Sequence, residues 1–119
     1  MHACNALIVS CIDFRIQKTV ENWTRQNLGE KQYDRAALAG GVKDFPSILK
    51  QIDLSVKLHA IKRLILMNHE DCGAYGPEGT EEKHRQDLLA AAAAIKSKYP
   101  SLAVETYFIR LSGQIITVN

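Results

Sequence analysis

A chain of 119 residues, 46% hydrophobic and 24% charged, has room for one layered core and the composition of an ordinary globular protein. Its formal charge of +2 is scattered along the sequence, which gives no footing to nucleic-acid binding. No apolar run approaches the roughly 18 residues of a membrane span, and the N-terminus lacks the basic, apolar, small-residue order of a secretory signal. The expectation is a cytoplasmic protein with a single domain over residues 1–119.

Ala6 to Ser10 is a short apolar run without helical period and reads as a buried strand. Ile16, Val20 and Trp23 recur at helical spacing, and Gly29 closes that helix. A second strand is expected over Arg35 to Ala39, stopped by Gly40-Gly41. Asp44 caps a helix in which Ile48, Ile52 and Val56 share one face. Arg63 to Met67 is the third strand, followed by a glycine-rich loop over residues 73–79. Thr80 caps a long helix with Glu81 and Glu82 in its first turn, Leu88, Ala92 and Ile95 facing inward, and Pro100 beyond its end. Leu102 to Leu111 and Ile115 to Val118 are strands joined through Ser112-Gly113. Strand–helix units repeated in this way predict a three-layer α/β/α fold. Its sheet is mostly parallel, of order 2-1-3-4, with a C-terminal antiparallel hairpin strand.

Three cysteines, Cys4, Cys11 and Cys72, do not make a disulfide framework. In a reducing compartment, cysteines that matter are metal ligands or catalytic thiols. Cys11 lies just past the first strand, and His69 and Cys72 lie just past the third. In the order 2-1-3-4 those two strands are neighbours, and the crevice where strand order reverses opens between them. Cys11 and His69 then face one another, with Cys72 three residues on, within reach of the same ion. Two thiolates and one imidazole are a recognised catalytic zinc set that leaves a fourth position open.

Cys11-Ile12-Asp13-Phe14-Arg15 and His69-Glu70-Asp71-Cys72-Gly73 carry a family likeness. In this order, each at a strand end, they resemble the Cys-x-Asp-x-Arg and His-x-x-Cys-Gly signatures of the β-class carbonic anhydrases. The resemblance extends more weakly over Ala36 to Gly41 and the terminal hairpin. It implies one zinc ion per chain on Cys11, His69 and Cys72, with Asp13 accepting a hydrogen bond from the zinc-bound water or hydroxide and Arg15 fixing Asp13. It implies reversible hydration of carbon dioxide to bicarbonate by that hydroxide, in a homodimer whose interface walls part of the pocket. Some members of the family use this Asp as a fourth zinc ligand that shuts the site, with the Arg holding it away.

The match departs in three places. Ala37-Leu38-Ala39-Gly40 stands where the family carries Arg-Asn-Ala-Gly; Phe14 occupies a position that is small in relatives; and the N-terminal arm is short. A bulky Phe14 beside the metal would narrow the pocket, which keeps hydrolysis of carbon disulfide or carbonyl sulfide as an alternative. The lost polar pair keeps a non-catalytic zinc-binding or regulatory module. Asp13 and Arg15 also read as a plain ion pair capping a helix start. Cys4 reads as packing. His59 and His84 read as ordinary surface or partly buried helix residues, and His2 as terminal.

Overall fold

The computed structural model describes residues 2–119. Five strands, β1 (Ala6–Ser10), β2 (Tyr33–Ala37), β3 (Arg63–His69), β4 (Ala103–Ile109) and β5 (Ile115–Thr117), alternate with three helices, α1 (Gln17–Asn27), α2 (Phe45–His59) and α3 (Glu81–Lys98). They form one sheet of order β2-β1-β3-β4-β5, in which only the β4–β5 pair is antiparallel. The architecture is the one the sequence predicts.

Side chains alternate across the pleat, so each central strand feeds two cores. Leu7, Val9, Leu64 and Leu66 pack with Ile48 and Ile52 of α2 and Leu88, Ala91 and Ile95 of α3. Ala6, Ile8, Ile65 and Met67 pack on the other face with Ile16, Val20 and Trp23. β1 and β3 are buried on both faces, which is why residues 6–9 and 64–67 read as unbroken apolar runs. Burying each such Leu or Ile contributes about 1.5–3 kcal/mol.

The caps act as predicted. Asp44 accepts from the Ser47 N–H and Thr80 from the Lys83 N–H. Glu81 and Glu82 begin α3, and Lys96 and Lys98 end it, matching the helix dipole at both ends.

Several expectations shift. β2 spans Tyr33–Ala37 and ends before Leu38, because the Gly41 N–H turns back onto the Leu38 carbonyl and Gly40 and Gly41 both take positive φ. β3 continues through His69, because β4 is long enough to pair Asn68 with Phe108 and His69 with Ile109. Within the loop over 73–79, Gly76–Glu78 form one 3-10 turn. Another, Phe14–Ile16, precedes α1. On α3 the buried alanine is Ala91, and Ala92 is only half-buried. Among the described residues, no helix is long and apolar enough to cross a membrane.

Candidate metal centre

Cys11 directly follows β1 and His69 ends β3, so both stand at the carboxyl ends of adjacent parallel strands. Cys72 returns from a tight turn in which Asp71 takes a positive φ. All three side chains are buried, and one ligand atom from each lies within 4.8 Å of the others. The two sulfurs are 4.0 Å apart. That is close to the separation of two sulfurs sharing one tetrahedral ion at about 2.3 Å each.

The histidine tautomer follows from its neighbour. His69 Nδ1 lies 2.7 Å from the Glu70 carbonyl oxygen, which only accepts, so Nδ1 carries the proton. Nε2 therefore presents a bare lone pair, and it is fully buried with no hydrogen-bond partner among the described residues. Leaving such an atom unmatched costs about 1–3 kcal/mol. A cation between Nε2 and the two sulfurs would satisfy it, and the donor set fits zinc.

The sulfurs are also prepared. Cys11 Sγ accepts the Gly40 N–H at 3.3 Å. Burial foremost, and the nearby Cys11 sulfur as well, push the Cys72 thiol up, against backbone N–H bonds from Ala74 and Tyr75. A divalent ion reverses that balance by favouring both thiolates.

Asp13 and Arg15 sit at the rim. Arg15 donates to Asp13 through Nη2 at 2.8 Å and Nε at 3.1 Å, and its own backbone N–H donates at 2.8 Å. The same guanidinium reaches Asp71 Oδ2 at 3.1 Å and the Asp71 carbonyl at 2.9 Å, tying the first motif to the second. Arg15 holds the Asp13 carboxyl down to about 2. Asp13 Oδ2 lies 3.8 Å from His69 Nε2. Gln17 donates to the carbonyls of Cys11 and Asp13, fixing the loop that carries both.

A family model described as "Putative carbonic anhydrase" matches residues 1–119. The chain belongs to that family. It is 28% identical to an uncharacterized protein of Rickettsia bellii over 97% of this chain and 82% of the relative. It is 30% identical to one of Rickettsia conorii over 97% and 72%. Among solved structures it is similar to a carbonic anhydrase from Glaciozyma antarctica, with a TM-score of 0.74 at 16% identity over 99% of this chain and 83% of that one. A carbon disulfide hydrolase follows the same fold, with a TM-score of 0.70 at 14% identity over 98% and 81%. So does one of two tetrameric β-carbonic anhydrases from Sordaria macrospora, with a TM-score of 0.65 at 14% identity over 100% and 82%. At these identities the structural likeness speaks to the fold, which is that of the β-carbonic anhydrases.

In this member of the carbonic anhydrase family, all five expected site residues converge. Phe14 does not join them. Its side chain is 84% exposed and turned to solvent, so within the chain it narrows nothing. The turn that brings Arg15 back onto Asp13 swings Phe14 outward between them.

Sequence reasoning missed the support beneath the site. Asn68, buried beside His69, accepts the Val42 N–H on Oδ1, which orients its amide. Its Nδ2 then donates to the Tyr75 hydroxyl at 3.1 Å and to His84 Nδ1 at 2.9 Å, and Tyr75 donates to Asp87. His84 is fully buried rather than the ordinary surface or partly buried helix residue expected, and burial foremost lowers it to about 4. The signal was present: His84 precedes Leu88, Ala91 and Ile95 on the inward face of α3.

Proposed function

We propose that this chain, as one domain over residues 1–119, binds one zinc ion through Cys11, His69 and Cys72 and catalyses the reversible hydration of carbon dioxide to bicarbonate and a proton. The observation that carries the reading is the bare, buried Nε2 of His69 facing two sulfurs, with the Asp13 carboxylate 3.8 Å away. When bound, zinc supplies a Lewis acid that lowers the pKa of a coordinated water.

The remaining work falls to this chain's side chains. Asp13, kept ionised by Arg15, accepts a hydrogen bond from the attacking water and aims its remaining lone pair at the carbon. Arg15 occupies both Asp13 oxygens and Asp71, which supports a site that Asp13 leaves open. The Glu70 carbonyl keeps the His69 proton on Nδ1. Ile12 and Phe14 are exposed apolar side chains flanking Asp13, which supports a homo-oligomer that covers the rim. The exposed Phe14 removes the reason to favour a narrowed pocket.

Stopped-flow hydration of carbon dioxide by zinc-loaded protein tests the reading, with carbon disulfide and carbonyl sulfide assayed on the same preparation. Turnover of carbon dioxide is expected. Turnover of the sulfur compounds alone would transfer the site to hydrolysis, and zinc-loaded protein inert to all three would make it a binding module.

A further inference from the structure

At the opposite end of the sheet a second group of unlike donors converges. Cys4 precedes β1, Asp34 is the second residue of β2, and His59 is the last residue of α2. One ligand atom from each lies within 4.8 Å of the others, and all three residues are half-buried, open enough for an ion to enter. Cys4 and Cys11 flank β1, so this group stands roughly 20 Å from the first at about 3.3 Å per residue.

The three segments are locked together before any ion arrives. The Cys4 N–H donates to the His59 carbonyl at 3.0 Å. Asp34 Oδ2 accepts the Ser55 hydroxyl at 2.6 Å and faces His59 Nδ1 at 2.6 Å. Both contacts fall on Oδ2, and Oδ1 takes part in neither. Among the described residues the hydrogen-bond contact of Cys4 Sγ is with the Ala6 carbonyl at 3.6 Å, weak for a thiol donor, while the side chain also packs against the core. An imidazole and a carboxylate alone would be a self-sufficient hydrogen-bonded pair; the thiol set against them makes a ligand set. Thiolate and carboxylate together carry two negative charges, which neutralise a divalent ion, and the mixture of soft sulfur, imidazole and one oxygen suits zinc. His2 offers a fourth ligand, its ring centroid 6.0 Å from that of His59.

We propose that Cys4, Asp34 and His59 form a second zinc site, separate from the first, that ties the segment before β1 to β2 and to the end of α2. Ser55 is a positioning residue that aims Asp34.

Reduced, chelator-stripped protein titrated with zinc against a chromophoric chelator tests this by counting tight equivalents. Wild type is expected to take up two, and Cys4→Ser and His59→Gln one each. Cys11→Ser is expected to keep one, and zinc should still raise its melting temperature. Ser55→Ala should weaken the second equivalent by about 10- to 100-fold. Cobalt(II) alone, added to a Cys11→Ser/Cys72→Ser protein, should give thiolate-to-metal absorption that disappears when Cys4 is also replaced. A single equivalent in wild type that survives Cys4→Ser overturns the proposal, as does a second equivalent unchanged by both Cys4→Ser and His59→Gln. A single equivalent lost in Cys4→Ser but kept in Cys11→Ser supports this site and counts against the first.

Discussion

His84 makes the stability of this protein depend on pH in a range where its carboxylates do not. Its ring is fully buried against Tyr75 and Phe108, and Nδ1 is occupied as an acceptor from Asn68. Its pKa falls to about 4 in the folded chain, against the ordinary imidazole value of 6.5. The folded state therefore holds His84 neutral while the unfolded chain takes up a proton. The stabilisation is present above pH 6.5 and is lost as pH falls toward 4. At about 1.4 kcal/mol per unit the whole shift amounts to roughly 3 kcal/mol, and the part falling between pH 7 and pH 5 to about 2 kcal/mol. Asp13 and Asp34 are lowered from 3.8 and Glu105 from 4.5, so their losses begin mainly below this window. Urea unfolding of chelator-stripped protein at pH 7 and pH 5 isolates the histidine from metal release. Wild type should lose about 2 kcal/mol and His84→Gln less than about 0.5 kcal/mol. Equal losses in the two proteins would refute the assignment, because the pH dependence would then belong to another group.

If the proposed zinc site is right, replacing Arg15 with Ala frees Asp13 to turn toward the ion held by Cys11, His69 and Cys72. Carbon dioxide hydration should fall at least about tenfold with zinc content unchanged, and full activity would remove Arg15 from the account. Gly41 has φ +60, and a Cβ there would meet the Met67 carbonyl at 2.9 Å and Asn68 Oδ1 as well. Gly41→Ala should therefore cost about 2 kcal/mol or more in a urea melt. If Ile12 and Phe14 lie beneath a second copy, the Ile12→Ser/Phe14→Ser protein should sediment as a monomer where wild type sediments as an oligomer.

The central sheet was legible because β1 and β3 are buried on both faces and are built on the apolar runs over residues 6–9 and 64–67. The convergence of Cys11, His69 and Cys72 was legible for a related reason. Each ligand follows a strand end by zero to three residues, so topology alone brings the two motifs together. The outward turn of Phe14 was not, since it depends on the hydrogen bond that curls Arg15 back to Asp13. The contact from Arg15 to Asp71 and the chain from Asn68 through Tyr75 to Asp87 join residues of different segments. Their pairing is fixed by register and by the phase of α3, which polar residues do not announce. Ala91 and Ala92 show the same limit: in an alanine run, hydrophobicity cannot say which residue faces the core.

The most direct test of the proposed zinc centre is metal content measured together with carbon dioxide hydration, on wild type and Cys11→Ser. Zinc and activity lost together in Cys11→Ser is the predicted result, with any zinc at the site proposed around Cys4 counted separately by its own variants. Wild-type activity in a Cys11→Ser protein, or wild-type protein that carries zinc at this centre and hydrates nothing, would contradict it.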